Sequence, residues 1–193
     1  HEAAIVDLLL RFTPAFQTVV DSELKRIGLQ PQSNKCIAMH VRHGDACFTG
    51  GRVCIRFEAY LTIAQKMRKL YNLSQLFVLT DDPKIAKDVT AGKYRVAGAG
   101  LKIFMQSMDR DKYDGPENQN EFIDRMGDKA LTEMLVDIAA ASTCRAFVGT
   151  SHSGIGKLIL AKMVARHGDV PYVSLSGKPL ECLAVPRGKE PYK

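Results

Sequence analysis

Tryptophan is absent from the 193 residues, and aromatic residues make up only 7% of them. Nowhere do four Lys or Arg residues stand in a row. With no zinc-finger or RNP-like spacing either, the chain lacks both the stacking platforms and the basic track of a nucleic-acid binder, and no nucleic-acid partner is expected. Long hydrophobic runs are missing too. Stretches such as 8–10 fall far below the roughly 20 residues that span a bilayer, so no membrane contact is expected from this chain itself. Nor does a basic n-region with an apolar h-region open the sequence, since His1 and Glu2 lead into an amphipathic stretch. The expectation is a piece of a longer protein.

What is present is ordinary for one well-buried globular domain: 46% hydrophobic residues, 25% charged and a formal net charge of +6. A modest basic balance suits a small anionic ligand. Five cysteines stand at 36, 47, 54, 144 and 182. Cys36 and Cys144 fall in apolar strand-like stretches and read as small buried hydrophobes. Cys47 and Cys54 bracket a glycine-containing loop. They are expected to form a disulfide, which would place the protein in an oxidising lumen, with two free thiols in a cytoplasmic protein as the alternative.

One stretch organises the rest. Residues 36–41, Cys-Ile-Ala-Met-His-Val, form a short apolar run that ends abruptly in Arg42, His43, Gly44 and Asp45. Continuous apolar sequence marks a strand buried on both faces of a parallel sheet, and ligands collect at the carboxyl ends of such strands. With a period of two, His40 and Arg42 project to one side and His43 to the other. Arg42 offers a planar fork for phosphate oxygens.

Around this strand the chain alternates helix and strand. Thr13 reads as an N-cap with Pro14 at the first helical position and Gly28 after the helix end, with Phe16, Val19, Val20, Leu24 and Ile27 on the apolar face. Tyr60, Leu61, Ala64, Met67, Leu70 and Tyr71 mark a second amphipathic helix. A strand at 76–79 closes in Thr80-Asp81-Asp82-Pro83, where Asp82 is a helix cap and Asp81 the residue expected to shape a site. A third strand covers 101–106. The polar stretch 107–128 follows, and reads as a long connection. Leu131, Met134, Leu135 and Ile138 then mark a helix with Asp137 on its flank, by itself a solvated position.

The last strong strand, 145–149, opens into Thr150-Ser151-His152-Ser153-Gly154, then a helix over 157–164, then an edge strand near 171–175. Such a turn exposes backbone N–H groups at the positive end of a helix dipole, an anion site in waiting. A P-loop reading fails, because Ile155 stands where Lys is required after Gly149 and Gly154.

These three strand-end stretches, in this order, resemble the three motifs of the α1,6- and protein O-fucosyltransferase superfamily: His-Val-Arg-x-x-Asp at 40–45, Thr-Asp-Asp at 80–82, and Gly-Thr-x-x-Ser at 149–153. The resemblance covers about 12–164. It implies the donor-binding lobe of an inverting GT-B glycosyltransferase, with the fold of a three-layer Rossmann-like α/β sandwich on a mainly parallel sheet. Residues 1–35 form a helical lead-in, 36–175 the nucleotide-sugar domain, and 176–193 a tail.

Carried over position by position, the resemblance assigns Arg42 and Asp45 catalytic roles. It places His40, Arg42, His43, Asp81, Thr150, Ser151, His152, Ser153 and Gly154 around a GDP-sugar. Asp137, sixteen positions before Ser153, would then accept from the guanine edge. No cofactor and no metal is implied. The expected partners are a GDP-sugar such as GDP-fucose, a glycan or protein acceptor, and a missing N-terminal lobe or partner chain; the expected setting is the Golgi or another secretory lumen.

The chain also departs from the pattern. His43 replaces the motif's second Arg, Ala46 its Lys, His152 the first of its paired serines, and the motif's Glu has no counterpart. Two further readings therefore stand beside the first. One is a non-catalytic binding or structural subunit derived from such a lobe. The other is a metal-dependent GT-A type enzyme using the D-x-D at Asp109 and Asp111.

Overall fold

The computed structural model describes residues 2–43, 54–108, 110, 119–150 and 152–176, with backbone alone for 2, 32 and 119–126. The element order is α1 (Glu2–Leu9), α2 (Pro14–Ile27), a 3-10 turn (Pro31–Ser33), β1 (Cys36–Val41), α3 (Phe57–Tyr71), β2 (Gln75–Thr80), α4 (Pro83–Thr90), β3 (Lys102–Met105), α5 (Gln119–Ser142), β4 (Ala146–Gly149), α6 (Gly154–His167) and β5 (Tyr172–Ser174). All four strand pairings are parallel, in the order β3-β2-β1-β4-β5.

Local chemistry accounts for the element ends. The Thr13 hydroxyl accepts from Phe16 N at 3.2 Å, Pro14 occupies the first helical position, and Gly28 takes φ 76° to close α2. Asp82 caps α4 by accepting from Lys84 N and Ile85 N at 2.8 and 3.1 Å.

The period-two alternation of β1 divides the core in two. Cys36 and Ala38 face one layer, joined by Leu79, Phe77 and Phe104 and covered by α2, α5 and α6. Ile37, Met39 and Val41 face the other, covered by α3 and by Ile85 of α4. The result is the three-layer α/β sandwich expected, and β1 is buried throughout, every residue at or below 5% exposure. Among the described residues no single helix is long and apolar enough to cross a membrane.

Three expectations are corrected. The polar stretch 107–128 is not one long connection, because α5 already begins at Gln119. Gly127, at φ 53° and ψ −143°, kinks α5 into two helical segments, the first of which the sequence pattern did not show. Val19, Leu70 and Tyr71 lie outside the apolar faces they were counted on, at 47, 57 and 36% exposure.

Cys36 and Cys144 are not two separate small hydrophobes but a disulfide, with Cα atoms 4.5 Å apart across 108 residues of sequence. The sheet register explains it: Arg145 N donates to the Cys36 carbonyl at 2.8 Å, which sets Cys144 beside the start of β1. No one-dimensional pattern reveals that adjacency. Cys54 is also disulfide-bonded, and its expected partner Cys47 lies outside the described residues.

Candidate functional site

The strand order reverses between β1 and β4: from β1 the chain builds outward through β2 and β3, then returns to the other side of β1 with β4 and β5. The crevice at such a reversal, over the carboxyl ends of the strands, is where open α/β sheets take ligands. The two stretches singled out at 40–43 and 149–154 flank that point.

On the β4 side, Ser153 is the N-cap of α6, its hydroxyl accepting from Gly156 N at 3.3 Å. Ser153 is buried, Thr150 half-buried and His152 exposed. A Cβ added at Gly154 would meet no atom within 4 Å, so the first turn of α6 opens on space. A 14-residue helix directs the positive end of its dipole into that opening.

His40 lies beneath this turn. A Cβ on Gly156 would stand 3.4 Å from His40 Nδ1. The imidazole is 5% exposed, and Nδ1 has no hydrogen-bond partner among the described residues. Burial, aided by the nearby Arg42 charge, pushes its pKa down to about 4, so the ring is neutral near pH 7. A buried ring nitrogen left unpaired at a ligand crevice is a polar group awaiting a partner.

On the β1 side, Arg42 and His43 are each held by one of two consecutive aspartates. The Arg42 guanidinium is ion-paired to Asp81 Oδ2, and Asp81 Oδ1 accepts from His43 N at 2.8 Å. His43 Nδ1 lies 2.9 Å from Asp82 Oδ2 and Nε2 lies 2.8 Å from the Ile55 carbonyl oxygen. Asp82 thus caps α4 with one oxygen and holds His43 with the other.

Asp137 is not a solvated flank. It is 7% exposed, and burial drives its pKa up to about 7 against the opposing pull of Arg110, with Glu23 and Glu133 adding to the rise. The Gln106 amide, in the orientation that satisfies both its ends, donates to Asp137 Oδ1 at 2.8 Å and to the Glu133 carbonyl at 3.0 Å. By continuation of the strand register, Gln106 lies level with Leu79 and His40. A cavity of about 410 Å³ between α2 and α5 borders Gln106 and Glu133 and is large enough for a small ligand group.

The structure therefore brings His40, Ser153 and Gly154 together on one side of the reversal and Arg42, His43 and Asp81 on the other. Asp137 stands on the β3 side, engaged by Gln106. Asp45, Ser151, Asp109 and Asp111 lie outside the described residues. Sequence reasoning missed the contributions of Ile55, Gln106 and Arg110. Arg110 is the middle residue of the D-x-D, where an acidic pattern gives no sign of a buried guanidinium.

No protein-family model matches the sequence, and no curated protein matches it. Among solved structures, POFUT1 in complex with GDP superposes at a TM-score of 0.51 and 12% identity, covering 85% of this chain and 47% of POFUT1. POFUT1 in complex with GDP-fucose gives 0.48 and 13%, covering 85% of this chain and 46% of that one. NodZ alpha-1,6-fucosyltransferase co-crystallised with GDP gives 0.43 and 17%, covering 77% and 41%. The fold is thus fucosyltransferase-like. The chain spans about half the length of the POFUT1 chains it matches.

Proposed function

We propose that this chain binds a GDP-sugar across the β1–β4 reversal, as the donor-binding part of a metal-independent, inverting glycosyltransferase related to the fucosyltransferases. One arrangement carries the reading. Arg42 and the N-terminus of α6, capped by Ser153, flank the reversal, and His40 Nδ1, beneath the first turn of α6, has no partner among the described residues. A diphosphate there would meet a guanidinium and a helix N-terminus, two sources of positive potential that need no metal ion.

In an inverting transfer the acceptor hydroxyl attacks the anomeric carbon as the bond to the diphosphate oxygen breaks. The departing GDP then carries the developing negative charge, which Arg42 and the helix N-terminus are set to stabilise. The acceptor's proton needs a base, and Asp45 is the residue the motif offers for it. Fucose is the sugar favoured by the sequence resemblance. Asp137 would read the guanine N1–H and exocyclic amine, with its carboxylate ionised on binding. The acceptor site belongs to the half of such an enzyme that this chain does not cover. The Cys36–Cys144 disulfide and the disulfide-bonded Cys54 favour an oxidising secretory compartment, the Golgi lumen among them.

Isothermal calorimetry with GDP, UDP and ADP, each with and without EDTA, tests the reading. GDP is expected to bind best, and chelation to change nothing. Equal affinity for the three nucleotides would remove the guanine argument, and no binding by any of them would favour the non-catalytic subunit.

A further inference from the structure

We propose that Arg110 is a positioning residue for the nucleotide site, tying together the residues that would hold the phosphates and those that would hold the base. The inference rests on the GDP-sugar reading above. Arg110 is 4% exposed, and its guanidinium is turned into the protein rather than toward solvent. Nε donates to the Thr80 carbonyl at 2.9 Å and Nη1 to the Gln106 carbonyl at 3.0 Å. Those carbonyls lie at the last residue of β2 and one residue past the end of β3, at the strand ends that carry the site.

Each carbonyl belongs to a residue with a direct link to one half of the site. Thr80 precedes Asp81, whose carboxylate holds both the Arg42 guanidinium and His43 N. Gln106 holds Asp137 through its side-chain amide. A continuous polar path therefore runs Arg42, Asp81, Thr80, Arg110, Gln106, Asp137 across the top of the sheet. One rigid planar fork sets the spacing between its two ends, which a flexible ammonium would not do.

Charge supports the same assignment. Asp137 is faced by Glu133 from its own helix and by Glu23 from α2, itself ion-paired to Arg26, and the two glutamates disfavour its ionisation. Arg110 is the opposing charge that favours it. To accept from the guanine edge Asp137 must be a carboxylate, so Arg110 would act on base recognition without touching the base.

The test uses Arg110→Met and Arg110→Lys in the full chain, with folding checked by circular dichroism. The first readout needs no nucleotide: the ¹³C carboxyl shift of Asp137 is followed against pH, its resonance assigned through Asp137→Asn. Arg110→Met is expected to raise the titration midpoint by about one unit, and Arg110→Lys to restore most of that shift. The second readout is GDP calorimetry. Both variants are expected to bind GDP at least about tenfold more weakly than the parent, Lys included because it cannot hold both carbonyls in one plane.

If Arg110→Met does not fold, Arg110→Lys decides the matter alone, with a near-parental midpoint and weakened GDP. An Asp137 midpoint unmoved by Arg110→Met, or parental GDP affinity in the folded variants, overturns the inference. A parent protein that binds no GDP, with the midpoint still moved by Arg110→Met, instead overturns the GDP-sugar reading.

Discussion

Arg42 and Asp81 form an ion pair across the carboxyl ends of adjacent strands, and the same carboxylate receives the backbone N–H of His43. The pair is mostly sheltered, with side-chain exposures of 18 and 15%. Asp81 thus sets the direction of the guanidinium in the ligand-free protein while neutralising part of its charge.

Replacing Asp81 with Ala removes the carboxylate that orients the Arg42 guanidinium and receives His43 N. We expect a loss of about 2 kcal/mol in stability and roughly tenfold weaker GDP binding. Arg42→Lys keeps the charge but loses the fork. It should weaken GDP further while changing stability less, as urea unfolding and calorimetry on the two variants would show.

His43 makes two separable side-chain bonds, and two substitutions separate them. Asn approximates the Nδ1 position that meets Asp82, and Gln the Nε2 position that meets the Ile55 carbonyl. The Ile55 bond links His43, just before 44–53, to a residue just after Cys54. If that bond matters more, Gln should retain most of the parental GDP affinity while Asn and Ala lose it about equally. The reverse order would assign the effect to Asp82.

Asp137 is costly to the fold. Its pKa is raised by burial from the usual carboxylate value to about 7, so the folded state disfavours ionisation relative to the unfolded chain. The sign follows from linkage: above pH 7 the full penalty applies, and it fades as pH falls toward 4. At one pKa unit per 1.36 kcal/mol, the penalty is roughly 4 kcal/mol. Asp137→Asn should therefore raise stability at pH 8, with a gain that shrinks by pH 5, while lowering the preference for GDP over ADP. Denaturant unfolding at the two pH values checks the first part.

The Cys36–Cys144 bond closes a 108-residue separation at the start of the central strand β1, at the strand end remote from the site. Chain-entropy arguments give a cross-link of that span roughly 4–5 kcal/mol. The Cys36→Ala, Cys144→Ala double variant should lose stability on that scale, but retain GDP affinity wherever it remains folded. A matching loss of affinity would show that the bond shapes the crevice as well.

The α/β order was legible because each strand is a short apolar run that ends in polar residues, and each helix carries a cap or an apolar stripe. Residues 40–43 and 149–154 could be placed at strand ends for the same reason. Pairings that depend on three dimensions were not legible. Nothing in Cys36 or Cys144 alone reveals that β1 and β4 lie side by side. The burial of Asp137 follows from Gln106 and α2 closing over a position that helical periodicity puts on the flank. Arg110 was hidden for a further reason: a surface-like run of charges gives no sign that its middle residue turns inward.

The Cys36–Cys144 link also has a consequence for biogenesis. Cys36 is far nearer in sequence to Cys47 and Cys54 than to its native partner. Loop-closure entropy in the unfolded chain therefore favours the wrong pairs by about 2 kcal/mol. Only the parallel pairing of β1 with β4 can reverse that preference, so oxidation must follow assembly of the central sheet rather than guide it. Premature oxidation of the nascent chain would store it as short-range isomers, and recovery of native protein would be set by the rate of thiol–disulfide exchange. Refolding from the reduced state should accordingly be faster with protein disulfide isomerase in a glutathione buffer than in air alone.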